Sequence, residues 1–270
     1  MNKIIRIIIF VIAISLMSFS GYKLYGIYKE YKTGSDLYNS LANQFVTIKE
    51  SAKKEESVTV NSSDEEPSLN LDKTEDEIKI DIDFDTLLET NKDIVAWIYS
   101  PDTPINYPVV QSNDNDYYLR RMLDGTHNTA GTIFMDYRNN KDLSDLNTII
   151  YGHNMKNNSM FGTLDKYKSQ EYYDEHPLIY LITKDKTLKI ELLAGLIVSE
   201  TSEVYRIPED EKELQGLYNK MLEKSTFKAD VTLEEGDRLI TLSTCTYEND
   251  NVRYIVVGKI SKEVINFISN

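Results

Sequence analysis

The sequence predicts a mainly β fold, an eight-stranded closed or nearly closed barrel with peripheral helices, preceded by an N-terminal transmembrane helix and a stalk. Three observations lead to this prediction. Eight short runs rich in Ile, Val, Tyr and Thr follow residue 90 and are bounded by Asn, Asp, Gly and Pro. Residues 7–22 carry no charge, and an acidic, aromatic-poor stretch separates them from the strands. Eight strands within one domain of this size suit a barrel with a single core.

The uncharged segment 7–22 is suited to a membrane anchor. As a helix it spans about 24 Å, against about 30 Å of bilayer hydrocarbon, and Arg6 and Lys23 at its ends can snorkel to the interface. Tyr22 and Tyr25 begin a series of tyrosines at helical spacing, as in a membrane-interface belt. We therefore expect a transmembrane signal anchor at 1–22, a single pass through the cell membrane and an extracytoplasmic domain. A cleaved signal peptide is the alternative.

The segments after the anchor are predicted to separate it from the folded domain. Residues 23–54 are interpreted as a helical stalk, and residues 55–82, which contain Pro67 and runs of acidic residues, as an acidic flexible linker. The folded domain is expected at 83–270. The net charge of −14 at pH 7, without a visible basic stripe, argues against nucleic acid as a partner.

Within the folded domain, composition and turn residues indicate the strands, and hydrophobic periodicity indicates the helices. Asp83 or Asp85 is placed to cap a short helix through Leu87 and Leu88. Further helices are predicted over 114–123, 160–167 and 209–224. The predicted strands cover residues 94–99, 105–111, 131–136, 148–152, 178–183, 188–199, 238–244 and 252–260.

Cys245 is the only cysteine in the chain, and it directly follows the predicted strand 238–244. Arg253 lies at the start of the next strand, so a thiol and a guanidinium are expected near each other at strand ends. A free cysteine is more often buried and inert than reactive. Position alone therefore leaves open whether Cys245 is structural or is a nucleophile beside an anion stabiliser.

Three histidines are candidate partners for this thiol. His153 follows a predicted strand and Gly152, at a strand end where a site on a barrel rim would form. His127 lies in a polar turn and His176 precedes Pro177, so both are expected at the surface. The histidine and cysteine spacing matches no metal site, and no phosphate-binding glycine loop occurs. We therefore expect neither a metal nor another cofactor.

The motif Thr241-Leu-Ser-Thr-Cys245, followed by Arg253 and preceded by Tyr151-Gly-His153, resembles the signature of the sortases of Gram-positive cell surfaces. The resemblance covers about residues 85–262, and its order and spacing are those of class B sortases. The blocks that carry it are Trp97-Ile98, residues 105–111, 116–119 and 131–138, Met160-Phe161 and the predicted helix 209–224.

This resemblance implies a sortase-type barrel and a membrane-anchored cysteine transpeptidase that joins secreted surface proteins to the cell wall. Cys245 would attack the carbonyl of a threonine in a C-terminal sorting-signal peptide and form a thioacyl-enzyme. His153 would protonate the departing amine and then accept a proton from the incoming amine. Arg253 would bind the oxyanion or hold the substrate backbone. The implied partners are the sorting-signal peptide, a peptidoglycan precursor or other cell-wall amine, and the membrane.

Alignment with the family adds residues that could line the peptide groove: Asn115, Leu119, Thr201, Tyr205 and Ser243. Leu119 and Tyr205 could equally be ordinary packing residues. The family often has an acidic residue directly after the cysteine, whereas this chain has Thr246. Two other functions stay open at this point, a cysteine peptidase that only hydrolyses its peptide and a catalytically silent, surface-tethered binding module.

Overall fold

The computed structural model describes residues 3–49, 79–245 and 252–261. The α-helices in these ranges are α1 (Lys3–Phe45), α2 (Phe84–Thr90), α3 (Gln170–Glu175) and α4 (Glu211–Glu223). The strands are β1 (Val46–Lys49), β2 (Lys79–Ile82), β3 (Ile94–Tyr99), β4 (Asn106–Val110), β5 (Ile133–Met135), β6 (Asn147–His153), β7 (Leu178–Ile182), β8 (Thr187–Ser199), β9 (Arg238–Cys245) and β10 (Val252–Ile260). Three 3-10 helices in the same ranges span Tyr117–Arg120, Leu164–Lys168 and Glu203–Tyr205.

Strands β3 to β10 close into an eight-stranded barrel in the order β10-β8-β7-β3-β4-β5-β6-β9. Neighbouring strands are antiparallel except for the pairs β4–β5 and β6–β9, which are parallel. The predicted mainly β barrel is therefore confirmed. Each of the eight predicted strands is present with ends within two residues of the prediction, because β-branched and aromatic residues favour a pleated, half-buried surface.

The strands around β9 are buried on both faces. Successive residues of a strand point to opposite faces, and Ile149 and Ile150 of β6 accordingly belong to two different hydrophobic clusters. One cluster forms the main core around Trp97 and Phe161. The other joins β6, β8, β9 and β10 to the apolar side of α4, through residues such as Leu214. Helix α4 therefore covers the outside of the strands that carry the proposed catalytic residues.

Two of the predicted helices are present as α-helices. Helix α2 begins after Asp83, whose carboxylate accepts a hydrogen bond from the Thr86 backbone N–H at 3.1 Å, as the capping prediction required. Helix α4 occupies most of the predicted 209–224 segment and is capped in the same way by Asp210.

The helices predicted over 114–123 and 160–167 are wrong as α-helices. The first contains only the 3-10 helix Tyr117–Arg120, because the Asp114 carboxylate accepts hydrogen bonds from two following backbone N–H groups and forms a turn. In the second, Met160 has a positive φ of 55°, and helical structure starts only at the 3-10 helix Leu164–Lys168. Helix α3 was not predicted.

Helix α1 is continuous through the predicted anchor and most of the predicted stalk. Its length and composition would allow it to cross a membrane, and none of its most apolar 18-residue stretch is buried. In its C-terminal part Gly34, Tyr38, Leu41 and Phe45 are buried, so one side of the predicted helical stalk packs against the folded domain.

The chain turns from helix to strand after Phe45, so residues 46–49 do not continue the helical stalk as predicted. Strand β1 pairs antiparallel with β2 at Lys79–Ile82, a segment assigned to the flexible linker from its charge. Ile80 and Ile82 are buried while the alternate residues are exposed, which is the period-2 pattern of a strand. Most of the predicted linker, residues 55–78, lies outside the described residues.

The buried side chains of the barrel should dominate its stability. We expect Leu181→Ala in β7, where the side chain is fully buried, to lower the free energy of unfolding by about 2–5 kcal/mol. Leu222→Ala, at an exposed position of α4, should change it by less than about 0.5 kcal/mol. Urea denaturation followed by circular dichroism measures both, and equal losses would contradict this assignment of the core.

Candidate active site

Strand register brings His153 and Cys245 to the same level of the barrel. In the parallel pair β6–β9 these two residues are direct partners, and each is the last residue of its strand. Gly152 makes this arrangement possible, because a Cβ at that position would lie 2.7 Å from the Phe161 ring and would also contact Ile133. The Tyr-Gly-His motif therefore has a packing reason as well as a chemical one.

The His153 ring is held by a backbone carbonyl. Its Nε2 lies 2.6 Å from the carbonyl oxygen of Leu119, and only 7% of the residue is exposed. A carbonyl oxygen can only accept a hydrogen bond, so Nε2 carries a proton. The nitrogen that can exchange a proton during a reaction is therefore Nδ1.

Arg253 reaches the same end of the barrel on the other side of β9. In the antiparallel pair β9–β10, Ser243 is the partner of Ile255, and continuing this register by two residues places Arg253 opposite Cys245. Beyond Ser243, the Thr244 hydroxyl contacts both the backbone N–H and the carbonyl of Tyr254 at 3.1 Å. The two strands thus remain joined at Thr244, the residue before Cys245, although there a side chain replaces the backbone ladder.

Arg253 is also placed next to a carboxylate. Its guanidinium lies 3.5 Å from the Glu200 carboxylate, at the outer limit of a hydrogen bond. The Glu200 side chain is 46% exposed, so solvent screens this pair and it contributes little to stability. Such a contact can be exchanged for a substrate at small cost.

A cleft of about 480 Å³ opens beside these strand ends. Four of the five predicted groove residues line it together with Arg253: Asn115, Leu119, Thr201 and Tyr205. Ser243 does not line the cleft, since it is fully buried and its hydroxyl lies 2.9 Å from that of Tyr205. His153 is not a lining residue either, but it bonds the backbone of Leu119, which is one.

The described lining residues differ in how they are held. Asn115 precedes the 3-10 helix Tyr117–Arg120, and its side-chain carbonyl accepts a hydrogen bond from the Tyr137 backbone N–H at 3.1 Å. Thr201 is exposed, with its hydroxyl 3.3 Å from that of Ser199. Tyr205 is almost completely buried, so it is a packing residue as well as a wall of the cleft.

Sequence reasoning missed the polar cluster that supports Tyr205. Arg138 forms two hydrogen bonds with the Asp136 carboxylate, at 2.9 and 2.8 Å, and a third with the Tyr205 carbonyl at 3.1 Å. Tyr151 donates to the same carboxylate at 2.9 Å and stacks on Tyr205 with ring centroids 6.1 Å apart. An aspartate at the end of an apolar strand with an arginine two residues later was the signal that could have indicated it.

Burial and charge adjust the protonation of this cluster. Burial opposes ionisation of Asp136, but the hydrogen bonds and charge of Arg138 outweigh it and hold the pKa of this carboxyl below its usual value. Burial, together with the nearby Asp136 charge, raises the pKa of Tyr151 well above its usual value. Tyr151 therefore stays a neutral donor and Asp136 a charged acceptor at neutral pH.

The remaining histidines lie elsewhere. His127 is exposed and His176 is half-buried, and neither lines the cleft. In the described ranges no group of three or more His, Cys, Asp or Glu side chains is arranged to hold a metal ion. Thr246 stands where the family often has an acidic residue, and it lies outside the described residues.

Comparisons with known proteins indicate one family. The model of the sortase domain family matches residues 98–261. Sortase B of Listeria monocytogenes is 34% identical over 239 residues, which cover 87% of this chain and 91% of the relative.

Solved structures extend the similarity to three dimensions. A structure of sortase B from Bacillus anthracis superimposes with a TM-score of 0.70 at 31% identity, covering 88% of this chain and all of that chain. A Staphylococcus aureus sortase B–substrate complex superimposes with a TM-score of 0.64 at 35% identity, covering 66% of this chain and 84% of that one.

The Asp136–Arg138 pair should make stability sensitive to acid. The folded protein lowers the pKa of Asp136 below its value in the unfolded chain, which is near 3.8. The stabilisation from the ionised Asp136 carboxylate is therefore present above pH 3.8 and is lost as the pH falls through the lowered pKa. We expect Asp136→Asn to lower the free energy of unfolding by roughly 1–3 kcal/mol at pH 7 and by less at pH 3. Denaturant titrations at both pH values measure this, with exposed Asp185→Asn as the control. An equal loss for Asp136→Asn at both pH values would contradict it.

Proposed function

This chain belongs to the sortase family, in class B, and from that premise we propose that it cleaves the C-terminal sorting signal of secreted surface proteins after a threonine and transfers the acyl group to a cell-wall amine. Sortases are cysteine transpeptidases, so the chain is an enzyme of that class rather than a silent binding module. The register of β6 and β9, in which His153 and Cys245 are partners, is the observation that carries the proposal.

In the first half of the proposed reaction, the Cys245 thiolate attacks the threonine carbonyl carbon. A C–S bond forms while the carbonyl electron pair moves to the oxygen, and Arg253 donates hydrogen bonds to this developing oxyanion. Collapse of the tetrahedral intermediate breaks the C–N bond. His153 gives its Nδ1 proton to the departing amine, which leaves a thioester on Cys245.

In the second half, an amine of the cell wall or its precursor attacks the thioester carbonyl. The neutral Nδ1 of His153 accepts the proton that the amine loses, and the C–S bond breaks as the new amide forms. The thiolate and the imidazolium are thereby restored. The hydrogen bond from Nε2 to the Leu119 carbonyl supports this role, since it keeps the ring in one orientation while Nδ1 changes its protonation state.

The cleft beside these residues has features that suit an extended peptide. Leu119 and Tyr205 offer apolar surface, while Asn115 and Thr201 add polar groups near the proposed oxyanion site of Arg253. The Staphylococcus aureus relative has been solved as a complex with its substrate. We infer that residues of the sorting signal occupy the cleft, with Ser243 supporting Tyr205 from behind through its hydroxyl.

The proposed location follows from α1. Residues 1–22 would cross the cell membrane once as an uncleaved anchor, and the barrel would lie on the extracytoplasmic side. The unburied apolar stretch of α1 and the packing of its C-terminal part on the barrel support this arrangement. There the enzyme would meet both its secreted protein substrates and the amines of the growing wall.

Cleavage and transfer should depend on Cys245 and His153. We expect Cys245→Ala to abolish turnover of a peptide found by screening pentapeptide sorting signals, because no other cysteine can form the thioester. His153→Gln should lower kcat by at least about 10²-fold, the usual scale of general acid–base catalysis. His127→Gln, at an exposed histidine, serves as the matched control and should retain full activity.

Mass spectrometry of the products with an added amine separates transfer from hydrolysis. The proposal expects an amide product, whereas a peptidase that only hydrolyses would yield the free acid. Full activity of Cys245→Ala would rule out the thioester mechanism. Exclusive formation of the acid would reject transpeptidation while leaving cysteine catalysis in place.

The oxyanion role of Arg253 predicts that lysine cannot replace it. A lysine ammonium is a point charge and does not reproduce the planar fork of guanidinium donors. We expect Arg253→Lys to lower kcat/KM on the order of 10²-fold or more, as for loss of an oxyanion donor. Arg238→Lys, at the opposite end of β9 from Cys245, should stay near parental activity. Near-normal turnover of Arg253→Lys would reject the role.

A further inference from the structure

We propose that Gly131 and Tyr38 are positioning residues for His153, and that the C-terminal part of α1, which lies beyond the proposed anchor, is therefore a working part of the active site. This inference rests on the proposed function, in which His153 moves the proton. Neither residue touches the cleft. Both act through the backbone of the segment that includes Leu119.

There is little space around the Leu119 carbonyl, which accepts the hydrogen bond from His153 Nε2. Gly131 packs directly against this group with a positive φ of 59°. A Cβ at position 131 would lie 2.6 Å from the Leu119 oxygen and 2.7 Å from the Tyr118 oxygen. Both contacts are shorter than real Cβ atoms show, and both are with backbone. A side chain at 131 therefore forces a backbone shift, either of the Leu119 carbonyl that holds His153 or of residue 131 packed against it.

Helix α1 is hydrogen-bonded to the segment that contains Gly131. The Tyr38 hydroxyl donates a hydrogen bond to the Gly131 carbonyl at 2.6 Å and lies 2.9 Å from the Thr132 hydroxyl. Thr132 in turn bonds the segment that contains Leu119. Its backbone N–H donates to the Tyr118 carbonyl, and its hydroxyl donates to the Arg121 carbonyl. Tyr38 is only 2% exposed, so water does not compete for these bonds.

Further contacts show that α1 docks along the whole of 128–132. The Asn128 side chain donates to the Glu30 carbonyl at 3.0 Å, and the Thr129 backbone N–H donates to the Glu30 carboxylate at 2.8 Å. Gly34 allows close approach, since a Cβ there would lie 3.3 Å from Ala130 Cβ. The helix that leaves the proposed anchor is thus bonded to the segment that holds the His153 acceptor.

The expected consequence is control of the His153 tautomer. With the Leu119 carbonyl in place, the neutral ring keeps its proton on Nε2 and presents Nδ1 for proton exchange. Leu119 also lines the cleft, so the same docking contact sets the place of one groove residue. A displaced carbonyl would release the ring to the other tautomer and would slow the proton transfers more than it weakens peptide binding.

Gly131→Ala tests this inference in the full chain in detergent micelles. Gly125→Ala is the matched control, because Gly125 also has a positive φ, 82°, but a Cβ there meets nothing within 4 Å. Imidazole ¹⁵N shifts of His153, recorded at a pH high enough to make the ring neutral and assigned with His127→Gln and His176→Gln, report the tautomer without any turnover. For Gly131→Ala we expect loss of the Nε2–H form and at least a tenfold fall in kcat with a smaller change in KM. Gly125→Ala should keep the parental tautomer and kcat within twofold.

A second pair of variants keeps the test decisive if Gly131→Ala fails to fold. Tyr38→Phe removes only the hydroxyl that bonds Gly131, and Tyr167→Phe removes a buried hydroxyl that bonds the His176 carbonyl instead. The inference expects a shifted His153 tautomer for Tyr38→Phe alone. Parental shifts in folded Gly131→Ala or in Tyr38→Phe, or equal shifts in the controls, would overturn it. If the parent turns over no sorting peptide, the proposed function fails, while the tautomer comparison still decides this inference.

Discussion

The parallel pairing of β6 with β9 is the constraint on which the rest of the site depends. Strand β9 lies between β6 and β10, so Cys245 at its end has His153 as its partner on one side, and on the other side the β9–β10 pairing leads towards the proposed position of Arg253. Parallel strands cannot be joined by a tight turn and need a long crossover. Here the connection from β6 to β9 includes α4, whose apolar side covers the same strands. Closure of the barrel thus both supports the site and fixes the relative positions of its residues.

The cleft wall and the proposed catalytic histidine are held in different ways. Tyr205 is fixed by side chains, through the ring of Tyr151, the Ser243 hydroxyl and the Arg138 guanidinium on its carbonyl. His153 is instead fixed by a backbone oxygen, whose own place depends on a residue without a side chain. Polar networks of the first kind are strong only when every member is satisfied. A backbone acceptor of the second kind adds no titratable group next to the proton that moves.

The outcome for particular residues shows how far local pattern extends. Short runs rich in Ile, Val, Tyr and Thr identified the eight barrel strands because most of these residues are also buried in the barrel, so local preference and tertiary burial agree. The strand at Lys79–Ile82 was assigned to the linker because two of its four residues are charged. Its pairing with β1 is a long-range contact that the local sequence does not show. The predicted helix at 114–123 failed because Asp114 competes for the backbone N–H groups, which propensity does not capture.

The sequence by itself determined the strand content, the candidate thiol, its histidine and arginine, and, through resemblance, the family. It could do so because these depend on residue type, short spacing and a motif at one strand end. Only the tertiary structure decided that α1 docks on 128–132, that Ser243 stands behind Tyr205, and that Asp136, Arg138 and Tyr151 form one cluster. These contacts join residues that are far apart in the chain. Barrel closure and strand register determine which residues meet, and a local sequence pattern carries no information about either.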